Sequence, residues 1–428
     1  MVNEKHGVLI VMQNTVVSPI PSPAEPAESG APDSKENFPI RWPSQCGKQY
    51  NVRSEDLGFS KTPDLKIVEA VHQLDGPYKL VAGWIHVAQA AAGQAPGTID
   101  AKLSYAASSS IDIDSIKYSY TPNSLTIGDP SFPDGFDGLH KGDACLGISI
   151  VLYMAAGATL ENFNIQATHL GMQIHQGANF SVTGQTSISL TTGTLDSVSF
   201  SSRETRLETI SGSISGKYSL MDLLSVKTKS GSVNINVEPK EKAKNGSPVA
   251  RFMADTMSGS MRVDFERKRI PDRDYVVDIN STVGSVDGTF IHGSKTDIKS
   301  VAGSINVDLL PFSTGDSESL LTTSTTDGQT IINMRSPYNG GTALSKLVSN
   351  HSSVSGQLNI TYPQEWEGHL EGQSMTGKLH LQGKDLELIQ QVERPGFSMV
   401  EAKKGNGKST MVFKTVVGAV NIKVGKLQ

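Results

Sequence analysis

The chain alternates apolar and polar residues in short runs, and one small phrase punctuates those runs. "VKTKSGSVNINV" (226–237) is one copy, and "LETISGSISG", "MADTMSGSMRV", "INSTVGSVDG", "IKSVAGSINV" and "SSVSGQLNI" are others. Nine glycines mark the series: Gly193, Gly212, Gly231, Gly259, Gly284, Gly303, Gly328, Gly356 and Gly377. Their gaps are 19, 19, 28, 25, 19, 25, 28 and 21 residues. Recurrence with variable spacing suits a stacked coil that carries loop insertions. Two long gaps hold the insertions "EPKEKAKNGSP" and "ERKRIPDRD".

Positions around each glycine repeat as well. Two residues after it stand Leu195, Ile214, Val233, Met261, Val286, Ile305, Thr330, Leu358 and Leu379. Five before it, the first six copies carry Ile188, Leu207, Val226, Ala254, Ile279 and Ile298. Three before it, every copy but the first (Leu190) has a hydroxyl, from Thr209 and Thr228 through Ser374. Residues an odd number apart on a straight strand face opposite sides. The two apolar positions lie seven apart, so burying both requires a corner at the glycine that resets the parity. Glycine suits a corner because it accepts positive φ.

The pattern therefore predicts an all-β, repetitive parallel β-solenoid in which Ser and Thr stack in an inward hydroxyl ladder. An antiparallel β-sandwich or meander is the alternative, since it too would bury one face of each strand. In the last three copies Thr323, His351 and Gly372 replace the apolar residue five before the glycine, which points to looser coils or altered packing there.

Three regions follow along the chain. Residues 1–45 form a disordered N-terminal segment with a Pro-rich linker, holding seven prolines between Pro19 and Pro43. Residues 46–144 read as an N-terminal β region with strands in "YKLVAGWIHVA", "GTIDAKLSYAA", "SIDIDSIKYSY" and "NSLTIGD", then a Pro/Gly/Asp loop at 129–143. Residues 145–428 carry the repeats. The run "CLGISIVLYMAAGA" (145–158) is too short to cross a bilayer and reads as a buried strand pair. "GVLIVM" (7–12) is too short for a signal-peptide core.

Composition narrows the function classes. A net charge of −5 and pI near 6.1 lack the basic footprint of a nucleic-acid binder. Cys46 and Cys145, 99 positions apart, form either one disulfide or two reduced, buried thiols. With only 2 cysteines no cysteine-based metal spacing exists, and the chain implies no cofactor.

Possible sites are few. "EAKKGNGKST" (401–410) ends like a phosphate-binding loop, but Ala402 stands where the motif requires glycine, so it reads as a turn between strands. Asp129, Asp134, Asp137 and Asp143 could offer carboxylates to calcium, yet their spacing matches no known loop, so a solvated turn is expected. His169 and His175 lack a neighbouring ligand set. Asp112 and Asp114 share one strand face, as a glycosidase pair might, or as a solvent face would. No "GxSxG" and no "GHG" occurs. The catalytic, cofactor and metal assignments are all none. Asn179, Asn245, Asn280, Asn350 and Asn359 head glycosylation sequons, which matter only in a secretory pathway.

The "SGSVNINV" phrases and "CLGISIVLYMAAGATLENFNIQATHLGMQIHQG" (145–177) resemble fungal members of the putative-adhesin β-solenoid domain family of unknown function. The resemblance covers 145–428 and, more loosely, 46–144. It implies a non-enzymatic adhesin-like surface or structural module, whose partners are cell-surface or wall components or other proteins. It also implies a cell-surface or extracellular location. Fungal relatives commonly carry a hydrophobic anchor ahead of the Pro-rich stretch, and none is visible in this sequence. The other class to weigh is a carbohydrate-active β-helix enzyme, a lyase or hydrolase, which would need acids clustered on one strand face.

Overall fold

The computed structural model describes residues 34–71, 78–128, 144–312, 317–340 and 342–425. Each repeat is one coil made of two strands that meet at the glycine. In the Gly231 coil, Leu223–Ser230 belongs to one sheet and Val233–Pro239 to the other. Coils stack in parallel and in register, with Leu207 beside Val226 and Val226 beside Ala254. The result is a parallel β-solenoid of two long sheets, 15 and 16 strands, with antiparallel pairs only towards the two ends, which excludes the sandwich. Below, sheet A holds the strands that follow the glycines and sheet B those that precede them.

The corner works as the parity argument requires, because Val226 and Val233 are both buried. The reason for glycine is sharper than positive φ. A Cβ on Gly231 would meet the carbonyl oxygen of Gly212 at 2.1 Å, and one on Gly212 would meet that of Gly193 at 2.0 Å. Stacking brings the corners too close for any side chain. From Gly259 through Gly356 the corners in addition take positive φ, +134° at Gly284 for example. The hydroxyl row is in register and buried, from Thr209 beside Thr228 to Ser353 beside Thr415. Thr209, Thr228, Ser281 and Thr325 donate to corner carbonyls, Thr209 to Gly212 O at 2.7 Å and Ser281 to Gly284 O at 3.1 Å. The hydroxyls of Thr256, Ser300, Ser353 and Thr415 have no hydrogen-bond partner among the described residues.

At the C-terminal end, stacking order leaves sequence order. The coil Ser409–Val417/Val420–Val424 turns at Gly418, a tenth corner, and inserts between the Gly356 and Gly377 coils. The hairpin Leu386–Arg394/Phe397–Lys404 then extends sheet B past Gly368–Thr376. Of looser coils or altered packing, altered packing is what the Gly328 and Gly356 copies show. Thr323 Oγ1 meets His351 Nδ1 at 2.8 Å, His351 Nε2 meets the Tyr362 hydroxyl at 3.1 Å, and that hydroxyl donates to Ser349 Oγ at 2.8 Å. All four residues are buried, so a closed polar network replaces the apolar row.

At the other end, Ala144–Met154 is a single strand buried at every position, not a strand pair. Residues 34–45, inside the expected Pro-rich segment, have no regular structure and lie along this strand's outer face. Phe38 packs against the small cluster that holds Ala88, Val151 and Tyr153, while Ser149 Oγ and the Tyr153 hydroxyl donate to the carbonyls of Phe38 and Glu36. Cys46 and Cys145 are disulfide-bonded with Cα atoms 6.1 Å apart, which pins this strap to the strand's start. The segment "SIDIDSIKYSY" is not one strand: residues 113–115 form a 3-10 turn, and a strand starts only at Tyr118. No helix among the described residues is long and apolar enough to cross a membrane.

Candidate binding groove

Strand alternation points every second residue of sheet A away from the core. Relative to the corner glycines these are the third and fifth positions. The third-position row runs Ser215, Asn234, Arg262, Asp287, Asn306, Ile331, Asn359 and Asn421 in register. The fifth-position row includes Asn236, Asp264, Thr289, Asp308 and Asn333. Amide and carboxylate side chains thus recur about every 4.8 Å along one face.

Over four coils these rows border a groove of about 670 Å³ lined by Asn234, Arg262, Asp264, Asp287, Thr289, Asn306 and Asp308. Gly288 lies on its floor between Asp287 and Thr289, at φ +144°, where a Cβ would meet Val263 O at 1.9 Å. Each carboxylate has a partner. Asp264 accepts from Arg262 Nε and from Thr289 Oγ1, both at 3.2 Å. Asp287 accepts from Asn306 Nδ2 at 3.3 Å, and Asp308 pairs with Arg335. Such a surface can donate and accept hydrogen bonds along its length. Its acids are engaged by cations and amides rather than set opposite one another as a general acid and base.

The residues singled out from sequence lie elsewhere. Asp112 and Asp114 do not share a strand face, because the Asp112 side chain caps the 3-10 turn by accepting from Asp114 N at 3.1 Å. Asp114 pairs with Arg53. Asp129, Asp134, Asp137 and Asp143 fall outside the described residues. His169 and His175 do not meet each other. His169 pairs with the buried Glu69 at 3.0 Å, a carboxylate the sequence does not mark. Glu69 also accepts from the amides of Thr168 and His169. His175 Nε2 lies 2.9 Å from His86 Nδ1 beneath the Phe38 ring, and burial together with His175 and Arg41 lowers the His86 pKa to about 4. Gly405 and Asn406 form the turn between two strands within 401–410. Among the described residues no group of three His, Cys, Asp or Glu side chains is placed to hold a metal ion. Asn179, Asn245, Asn280 and Asn350 are exposed, while Asn359 is half-buried and accepts from Asn421 at 2.8 Å.

No protein-family model matches the chain, and no curated protein matches it in sequence. Two crystal structures resemble it. A "putative adhesin" from Bacteroides fragilis is 10% identical, with 73% of this chain and 98% of that chain covered at a TM-score of 0.29. A "putative cell adhesion protein" from Clostridium sporogenes is 10% identical, with 88% and 100% covered at a TM-score of 0.13. Both are bacterial and neither speaks to a fungal origin.

Proposed function

We propose that the chain is a non-enzymatic, adhesin-like binding module acting at a cell surface or outside the cell. Its contact surface is the outer face of sheet A, and its target is an extended polar polymer such as a surface or wall glycan. The in-register row Asn234–Arg262–Asp287–Asn306 along a groove carries this reading. A chain of repeating polar units meets repeating donors and acceptors there without need of a deep pocket. The Cys46–Cys145 bond supports the location, since disulfides persist in oxidising compartments. We further propose membership of the adhesin-like solenoid family and the division at residues 45 and 144.

A glycan array and a wall-polymer pull-down with the intact, disulfide-bonded protein test the reading. Asp287→Ala with Asn306→Ala should lower binding at least about tenfold, each lost bond to a charged or amide group being worth about 1 kcal/mol or more. Binding unchanged by that pair, or retained only by unfolded protein, would sink it. Release of oligosaccharide products would favour the carbohydrate-active class instead. An endoglycosidase mobility shift on protein from its native source checks the location independently.

A further inference from the structure

The corner glycines leave a second surface. The two residues ahead of each glycine point off the end of sheet B, and there the molecule exposes apolar side chains. Of the 14 large hydrophobics exposed among the described residues, eight stand at these positions: Ile210, Met257, Val283, Val301, Val354, Met375, Val416 and Val417. They are 39% to 58% exposed. The backbone register aligns the residues just ahead of the glycines, Ser258, Val283, Ala302, Asp327, Ser355 and Val417, so these corners stack coil on coil and the eight side chains, in that row or one residue before it, line one ridge. Only two charged side chains interrupt it, Lys229 and Asp327, both exposed and with no ion pair among the described residues.

We propose that this ridge is a self-association surface: two copies pack ridge to ridge, antiparallel, about a two-fold axis at the Gly284 coil. An isologous contact must be complementary to itself, and this register is. Val283 faces the partner's Val283, Met257 faces the partner's Val301, and Ile210 faces the partner's Val354. Lys229 then falls beside the partner's Asp327, twice by symmetry. Centring the axis one coil further, at Gly303, sets Lys229 against the partner's Val416 and Val417, and Asp327 against the partner's Val283. That leaves both charges on apolar surface, so charge complementarity selects the first register. The paired stretch from Ile210 to Val354 spans six coil steps, about 29 Å. So narrow a strip falls below the standard interface of about 1,600 Å², and the dimer it builds is weak, with Kd in the micromolar range.

Sedimentation velocity on the intact chain from about 1 to about 200 μM tests this, with a reversible dimer expected at the upper end. Lys229→Asp should raise the dimer Kd about tenfold or more, and adding Asp327→Lys should restore it. Because both native cysteines are bonded, an introduced cysteine is the only free thiol. Val283→Cys, at the axis, should crosslink to its own copy with a short bismaleimide. Val354→Cys, about 29 Å from its counterpart, should not. A chain that stays monomeric throughout overturns the proposal, whether or not the ridge takes up lipid or glycan. So does a Val354→Cys that links as readily as Val283→Cys, or a charge swap that fails to rescue.

Discussion

The ring of Phe413 fills the space that a side chain at Gly372 would occupy. A Cβ on Gly372 would lie 1.8 Å from Phe413 Cε2, and the two residues are register partners in the last coils of the stack. Phe413 sits five before Gly418, in the row of Val226 and Ile279. Its bulk is accommodated only because the coil beyond it is bare at this point. The pair therefore couples the inserted coil to the terminal one.

Gly372→Ala should destabilise the fold by about 2–3 kcal/mol through overpacking, read as a lower urea midpoint. Phe413→Leu should relieve most of that, so the double variant costs less than the sum of the singles. Additive singles would show that the ring has room to move away.

At the corners, Gly284→Ala combines a φ of +134° with a Cβ 2.3 Å from the Gly259 oxygen. A loss of about 3 kcal/mol or failure to fold is expected. Gly93→Ala, with nothing within 4 Å of its Cβ, should change stability by less than about 0.5 kcal/mol. Equal urea midpoints for the two variants would contradict the stacking account.

Much of this fold is written in short-range pattern. The parity break between Val226 and Val233 reveals the corner, and recurrence of the phrase reveals the stack. What stays hidden depends on long-range topology. Gly418 carries the same positions as its predecessors, yet nothing local says that its coil inserts ahead of Gly377. Thr323 and His351 look like lost anchors until Tyr362 and Ser349 close their hydrogen bonds. Glu69 meets His169 across 100 residues. The groove residues leave a usable signal, since Asn234, Asp287 and Asn306 share the third position after their glycines. Only alignment on the corner makes that visible, because each alone is an ordinary solvent-facing strand residue.

The strap on Ala144–Met154 is tied down by the Cys46–Cys145 bond at one end and by the Phe38 contacts further along. Reducing the bond, or Cys46→Ser with Cys145→Ser, frees a closed loop of 99 residues and should cost about 4–5 kcal/mol on the chain-entropy account. Limited proteolysis with mass spectrometry should then show first cuts within residues 34–46 in the variant and not in the native protein. Cuts that begin elsewhere would mean the strap is held without the bond.

Stability should fall as the solution is acidified below neutrality, and two buried histidines set the window. Burial lowers the His351 pKa to about 3 and that of His292 to about 4, against about 6.5 in the unfolded chain. At pH 7.5 both are neutral in either state and contribute no pH dependence. Below about 6.5 the unfolded chain takes up protons that the folded chain refuses, so the unfolded state gains and stability drops. The loss continues until the folded pKa values are reached, near 4 for His292 and near 3 for His351. Each histidine contributes about 2 kcal/mol of loss at pH 5, about 4 kcal/mol together. His292→Gln with His351→Gln should lower stability at pH 7.5, where Thr323 loses its partner, yet flatten the decline between pH 7.5 and pH 5 in urea melts. A smaller slope should persist from His86, which is only partly buried and lowered to about 4. If the double variant declines as steeply as the native chain, these imidazoles do not set the acid response.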